Sequence, residues 1–382
     1  MHLHTFSLLV LVALVRATKY IVVLNENLNF VQENDHFDRL DAILSSFAPG
    51  TKPQRIHKFG NFHGYTLDIP ESLVSPISQL DGVKYVEKDQ TGRIEAPFEA
   101  EVITQNSPPS WGISRVSARE KWQKGDPYFY QKNHSGKGST VYVIDTGVFA
   151  NHSDFEGRAE LSVNFVTAEV AADLHGHGTH VSGTAISSSY GVAKDAKVKG
   201  IKVCTKFGSC ETSDIIAGVE YAVKDSSQNQ YVKGIISMSL GLPPSRALDD
   251  AANAAVKAGV AFVCSAGNGY GRDACDESPR RAELTFAVAS STNEDRQSPF
   301  SNIGKCVDIF APGSSITSLS IRAGQISTVM SGIMAILASQ ENFDTVDELY
   351  EKTRSVATKG VLSGLGYKTV NLLAFSDFSE MY

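Results

Sequence analysis

The amino-acid sequence predicts an α/β fold, in which a parallel sheet is flanked by helices and preceded by a small α+β domain. From Trp111 onward, apolar β-branched runs alternate with helical stretches, which is typical of a parallel sheet covered on both faces. Residues 19–87 instead combine half-buried strands with two amphipathic segments. Between these parts, residues 99–110 lack periodicity and contain Pro108 and Pro109, which indicates a linker.

Each element is predicted from its own local pattern. In the first domain, the predicted strands are residues 20–24, 62–69 and 83–87, and the predicted helices are 36–47 and 71–80. In the second domain, the predicted strands are 140–144, 197–203, 234–240 and 260–266, and the predicted helices are 214–224 and 249–257. In parallel sheets of this kind, functional residues gather at the carboxyl ends of the strands.

Composition narrows the function classes. The 382 residues are 42% hydrophobic and 20% charged, with a net charge of -7, which describes an ordinary globular protein. Neither this charge nor any basic cluster favours nucleic acid or a membrane surface, so we expect neither partner. We expect a monomer.

The N-terminus predicts export. Residues 6–15 form an apolar run too short to span a bilayer, and cleavage after Ala17 makes residues 1–17 a signal peptide. A buried N-terminal strand or helix is the alternative. We therefore expect a secreted, extracellular protein. Asn133 and Asn151 each begin an N-glycosylation sequon, although such tripeptides also arise by chance.

Export makes the five cysteines candidates for disulfides, and an odd count leaves at least one thiol over. Cys275 and Cys306 lie in two loop-like segments, and we expect them to pair. Cys204 and Cys210 flank a short glycine-containing loop and are the second candidate pair. Cys264 lies within an apolar strand, where a small thiol packs well, so we expect it to be free.

Three segments carry residue types suited to acyl-transfer chemistry. Asp145 ends a buried strand, where its charge needs a partner such as a histidine, although capping explains most single aspartates. The glycines of residues 175–180 (HGHGTH) predict a tight turn that holds an imidazole at a helix start. Asn268 directly follows another strand and can donate its amide to an oxyanion, although Gly-Asn is also ordinary turn chemistry.

Taken together and in order, these motifs resemble the subtilase family, closest to its proteinase K-like branch. The resemblance implies a subtilisin-like sheet and a serine endopeptidase that uses Asp, His and Ser in that chain order. It runs from Trp111 almost to the C-terminus, through residues 143–147 (VIDTG), 177–181 (HGTHV), 237–241 (SMSLG), 266–268 (AGN), 300–302 (FSN), 309–313 (IFAPG) and 370–374 (VNLLA).

The resemblance also implies roles for single residues. Asp145 would orient His177, the general base, and Asn268 would donate to the oxyanion. Residues 18–105 resemble an inhibitory propeptide and 106–382 the peptidase domain. The implied partners are peptide or protein substrates, with apolar or aromatic side chains preferred, and the chain's own propeptide as intramolecular inhibitor. Two edge segments would bind the peptide as an added strand: Gly208 and Ser209, and Ser239, Leu240 and Gly241.

The segment that should carry the nucleophile departs from the family pattern. The family reads Ser-Gly-Thr-Ser-Met-Ala, then Pro-His-Val and a small-residue pair ending in Gly, with the second serine active. Here residues 328–337 read TVMSGIMAIL, so Ser331 matches a position just before the nucleophile. Three explanations follow: a mis-spliced or mispredicted form of an active enzyme, a pseudoprotease that binds peptides or partners, or a shifted serine such as Ser331 or Ser327.

No metal ligand set is predicted, and no cofactor is expected with certainty. Zinc at the three histidines would need further ligands, and Asp173 alone does not complete a site. Calcium is possible, because residues 278–295 correspond to a calcium loop of the family, but Thr292 occupies the usual aspartate position. The acidic side chains of that region are predicted to form a solvated surface: Asp276, Glu277, Glu294 and Asp295.

Overall fold

The computed structural model describes residues 17–26, 28–59, 62–89, 101–132, 134–321 and 330–376. It divides into two units, Met1–Ala96 and Pro97–Tyr382, which are described separately. Residues 1–16 of the predicted signal peptide lie outside the described residues. No helix in the described part of the chain is long and apolar enough to cross a membrane.

The N-terminal unit is an antiparallel sheet with two helices, as predicted. Among its described residues, four strands pair in the order β2-β3-β1-β4. Its core contains Val22, Leu40, Leu44, Tyr65 and Leu67. The elements are β1 Thr18–Leu24, α1 Phe30–Phe47, β2 Gln54–Phe59, β3 Phe62–Ile69, α2 Val74–Ser78 after a 3₁₀ turn at Glu71–Leu73, and β4 Val83–Lys88.

The C-terminal unit is built on a large sheet. Within the described residues, nine strands pair in the order β14-β15-β13-β12-β11-β10-β7-β9-β8, all parallel except β14 with β15. The elements are β5 Val102–Gln105, α3 Trp111–Val116, β6 Tyr128–Gln131, β7 Thr140–Asp145, β8 Ala159–Asn164, α4 His177–Ile186, β9 Lys197–Lys202, α5 Thr212–Ser226, β10 Gly234–Met238, α6 Arg246–Lys257, β11 Ala261–Ser265, β12 Phe286–Ser291, β13 Ile309–Pro312, α7 Met330–Gln340, α8 Val346–Val356, β14 Thr358–Lys359 and β15 Leu372–Leu373.

Helices cover both faces of this sheet, which confirms the predicted α/β architecture. Val141 and Val143 of β7 pack in one cluster with α3, α4, α7 and α8. Tyr142 and Ile144 of the same strand pack in another cluster with α5 and α6. Successive strand residues therefore enter opposite cores, which is why these strands are continuous apolar runs.

The predicted linker contains a strand. Residues 102–105 pair antiparallel with β6, Val102 opposite Gln131 and Gln105 opposite Tyr128, because alternating β-branched residues precede the two prolines. The units divide at Ala96, earlier than the predicted boundary after residue 105, so β5 belongs to the C-terminal unit. Where the chain is cleaved during maturation stays a prediction.

The cysteine predictions are confirmed. Cys275 is bonded to Cys306, and Cys204 to Cys210. Cys264 is a free thiol buried in β11. Burial raises the pKa of this thiol to about 12, so it stays protonated and unreactive at neutral pH.

Candidate active site

Asp145 and His177 form the centre of the site. Asp145 ends β7, where the strand order reverses between β9 and β10, and its side chain is buried. Both carboxylate oxygens lie 2.8 Å from Nδ1 of His177, the first residue of α4. The Thr146 backbone N–H donates to Asp145 Oδ1 at 2.7 Å. A carboxylate at this distance holds the imidazole in one orientation and stabilises it when it takes up a proton.

The start of α4 is organised by Asp173, whose importance the sequence analysis missed. Its Oδ1 accepts from the backbone N–H groups of His175 and Gly176, at 3.1 and 2.7 Å. Its Oδ2 accepts from the backbone and hydroxyl of Thr179. Buried Asp173 thus satisfies backbone donors that a helix start leaves without partners. An acidic residue shortly before a glycine-rich helix start was the available signal.

Gly178, the second residue of α4, is required for a steric reason. A Cβ on Gly178 would lie 2.0 Å from the carbonyl oxygen of Gly147, so only glycine lets this turn of α4 approach the strand end. The Gly178 N–H donates to Thr146 Oγ1 at 3.0 Å. The helix start and the β7 end are therefore locked together, which fixes His177 against Asp145.

Two neighbouring histidines complete the motif. His180 is buried, and burial lowers its pKa to about 4, with the charge of His177 adding to the effect. The His175 ring lies edge-on to that of His177, with centroids 6.3 Å apart. The described residues contain no group of three or more His, Cys, Asp or Glu side chains that could hold a metal ion.

Buried Lys202 supports the same strand end and was also missed. Its ammonium donates to the carbonyls of Thr146 and Cys204, at 3.1 and 2.9 Å, and pairs with Glu169 at 3.1 Å. It therefore links the turn after Asp145 to the loop that Cys204–Cys210 closes. A lysine inside a strand would ordinarily be taken for an edge residue, so the sequence carried no signal for it.

The predicted substrate segments line two adjoining cavities. One, of about 580 Å³, contains Asp145 and His177, and the predicted residues Gly208, Ser209, Ser239, Leu240 and Gly241 all line it. The other, of about 470 Å³, contains Asn268 and shares Ser239, Leu240 and Gly241 with the first. We name it the Asn268 cavity. The structure thus brings the predicted site residues to one edge of the sheet.

Family models match both units. A model described as "Subtilase family" matches residues 136–348, more than half of the chain, and one described as "Peptidase inhibitor I9" matches residues 19–95. The chain belongs to the subtilase family.

Individual relatives support the same family. This subtilase is 38% identical to the cuticle-degrading protease of Metarhizium anisopliae, over 82% of this chain and 81% of that protein. It is 35% identical to subtilisin-like protease 3 of Saccharomyces cerevisiae, over 94% of this chain and 84% of that protein. The crystal structure of a cold adapted subtilisin-like serine proteinase matches with a TM-score of 0.63 and 38% identity, covering 70% of this chain and 98% of that one.

The helix α7 follows the segment that departs from the family pattern. Residues 330–338 of α7 are all buried, Ser331 included. A Cβ on Gly332 would lie 2.7 Å from the carbonyl oxygen of Ala185 and 2.3 Å from Val192. Ala185 is about 12 Å along α4 from His177. Ser331, next to Gly332, therefore lies near the far end of α4, and its match to the position before the nucleophile stays a prediction, while Ser327 lies outside the described residues.

One prediction about the acidic loop is wrong. Asp295 is buried, and its two carboxylate oxygens accept from Nε and Nη2 of Arg115 at 2.8 and 3.0 Å. It is thus one half of a buried ion pair, not part of a solvated surface, because a buried charge needs a partner. Glu277 pairs with Arg280. Of the glycosylation sequons, Asn151 is exposed in a turn, whereas Asn133 lies outside the described residues.

Proposed function

We propose that this subtilase is built as a secreted serine endopeptidase, in which Asp145 and His177 activate a serine that the present chain lacks. The observation that carries the proposal is the buried carboxylate 2.8 Å from an imidazole at the edge of a peptide-sized groove. In serine hydrolases such a pair takes a proton from the nucleophile and returns it to the leaving group.

In the complete enzyme, the roles would divide as follows. His177 would accept the serine hydroxyl proton as the oxygen attacks the peptide carbonyl, and Asp145 would stabilise the resulting imidazolium. The Asn268 amide would donate to the developing oxyanion. The protonated imidazole would then protonate the leaving amine, and a water molecule would hydrolyse the acyl-enzyme. Ser239, Leu240 and Gly241, with Gly208 and Ser209, would hold the peptide as an added strand.

We further propose that the present sequence is a mis-spliced or mispredicted form of an active enzyme, from which the block between Gly332 and Ile333 has been left out in frame. Family members commonly have Ser-Gly at both ends of the missing piece, so one excision leaves one copy, Ser331-Gly332. Gly332 lies against Ala185, and two helices this close require glycine at the contact. This supports the view that Ser331-Gly332 is the copy that belongs inside α7. The mature transcript should then contain an intact Thr-Ser-Met block. A message identical to the present sequence would reject a gene-model error.

A second function, a pseudoprotease that binds peptides, is favoured by the packing of α7. Its first nine described residues are buried, so the shortened chain still has a closed core on that face. Secreted full-length protein would then bind peptides, hydrolyse none and give no labelling with a fluorophosphonate probe. It would also keep its propeptide, since removal in this family is autocatalytic, and run near the full 41.2 kDa less the signal. Efficient shortening to the catalytic domain, or labelling, would reject this function.

A further inference from the structure

The floor of the Asn268 cavity is a buried arginine. The Arg280 side chain is 2% exposed, and its Nη1 and Nη2 donate to the carbonyls of Ala266 and Leu240, each at 3.2 Å. Nη1 also pairs with Glu277, whose side chain is 34% exposed in the same cavity. The guanidinium therefore bridges the segments that follow β10 and β11.

Two glycines make room for this guanidinium. A Cβ on Gly241 would lie 1.9 Å from Nη2, and one on Gly267 would lie 2.0 Å from Nη1. No side chain at either position could coexist with Arg280 in its observed place. The cation is thus held rigidly between the two walls of the cavity, and it cannot swing out to solvent as a surface arginine does.

The guanidinium has more donors than acceptors. It carries five N–H groups, and the two carbonyls and the Glu277 carboxylate account for three of them. Within the described residues, its Nε is shielded from solvent and has no acceptor. The charged side chains that line the cavity are Arg272, Arg280 and Glu277, so positive charge is in excess.

We propose that the Asn268 cavity accepts an acidic side chain of a bound peptide and that Arg280 determines this preference. The inference rests on the proposed peptide-binding groove and names its substrate class. A carboxylate supplies further acceptor oxygens and balances the excess of positive charge that Arg272 and Arg280 have over Glu277. An apolar side chain would instead shield the Arg280–Glu277 pair from water without replacing its hydration, which costs free energy. The preference therefore differs from the apolar one implied by the family resemblance.

The test uses the full-length secreted chain and three fluorescein-labelled, C-terminally amidated tetrapeptides: Ala-Ala-Ala followed by Glu, Gln or Phe. Fluorescence anisotropy at pH 7 should give a Kd for the Glu peptide about tenfold or more below those of the other two. A propeptide that competes for the groove lowers all three affinities by the same factor, so the ratios are preserved. Below about pH 4 the Glu peptide should lose its advantage, because its side chain is then protonated.

Variants assign the preference. Arg280→Met keeps most of the buried apolar stem and should make the Kd values of the Glu and Gln peptides equal. If this variant does not fold, Glu277→Gln gives the test. Removing the carboxylate that competes for Arg280 should increase the preference for the Glu peptide over the Gln peptide. Arg281→Met is the matched control: its side chain is 42% exposed, pairs with Asp249 and does not line the cavity, so the ratio should not change.

The outcomes separate the two proposals. Equal or tighter binding of the Phe peptide, or a ratio unaffected by Arg280→Met and Glu277→Gln, overturns the acidic preference and leaves peptide binding standing. Failure of all three peptides to bind overturns the pseudoprotease function of this chain, and the inference with it.

Discussion

The helices α4 and α7 lie on the same face of the sheet but differ in the contacts that their first described residues make. The first turn of α4 is held by Asp173, Thr146 and Gly178, and it presents His177 to Asp145. In α7, residues 330–338 are buried and mostly apolar, and Gly332 meets the far end of α4. Packing is shared among many residues and tolerates a shortened helix, whereas catalysis depends on one oxygen at one place. The fold of such a scaffold therefore does not depend on its nucleophile.

The largest expected effect comes from inserting the block that we propose is missing near the start of α7. Inserting Thr-Ser-Met-Ala-Ser-Pro-His-Val-Ser-Gly between Gly332 and Ile333 should convert an inactive chain into a peptidase, because loss of the nucleophile costs about 10⁶-fold in kcat, a magnitude known from subtilisin. Hydrolysis of a casein or peptide substrate measures it. The same insertion with alanine in place of its second residue is the control and should stay inactive. An inactive but folded serine-containing insertion would contradict the deletion hypothesis.

Within that restored chain, Asp145→Asn should lower kcat/KM by about 10⁴-fold, because the amide holds His177 in the wrong tautomer. The same substitution in the unrestored chain should leave peptide affinity unchanged, since Asp145 is buried behind the imidazole. Steady-state kinetics and anisotropy separate the two effects. A loss below tenfold in the restored chain would show that the pair at the start of α4 does not act as proposed.

The close contact between α4 and α7 should not accommodate a methyl group added at Gly332. Alanine has a higher helix propensity than glycine by about 1 kcal/mol, which alone would make Gly332→Ala stabilising. Steric overlap with the Ala185 carbonyl should outweigh this and lower the free energy of unfolding by about 1–3 kcal/mol. Urea denaturation measures the change. Ser355→Ala, at an exposed site on α8, should stay within about 0.5 kcal/mol, and a more stable Gly332→Ala would disprove the close contact.

The smallest effect concerns pH. His180 in α4 has a pKa of about 4 when folded and 6.5 as a free side chain, because burial opposes its charge. Between these values the unfolded chain binds more protons, so this group lowers stability as the pH falls from 6.5 towards 4. His180→Asn should therefore weaken the acid-side slope of the free energy of unfolding. Above pH 7 the two proteins should show parallel curves, and an unchanged acid slope would contradict the assignment.

Much of the fold could be predicted because the central strands are buried on both faces and form continuous apolar runs. The small strand β2 was missed because its residues, 54–59 (QRIHKF), are mostly polar and charged. β5 was missed because the prolines that follow it dominated the pattern. Local sequence describes burial well, but strand pairing depends on partners far along the chain.

The site was predicted unevenly for the same reason. Asp145, His177 and Asn268 lie in short motifs with characteristic neighbours. The positions of Asp295, Lys202 and Arg280 depend instead on tertiary contacts, with Arg115, Glu169 and the carbonyls of two separate loops. Charged residues in loops are usually exposed, so sequence patterns give the wrong expectation for such pairs.

The two-stranded sheet of β5 and β6 limits how far the N-terminus can be trimmed. Val102–Gln105 is bonded along its length to Tyr128–Gln131, and Lys132 donates its backbone N–H to the Glu101 carbonyl. A protease needs an extended, unpaired stretch of backbone, so a mature N-terminus should begin at or before Val102. A cut after Gln105 would first have to separate β5 from β6, and ragged ends should therefore accumulate only on the N-terminal side of β5.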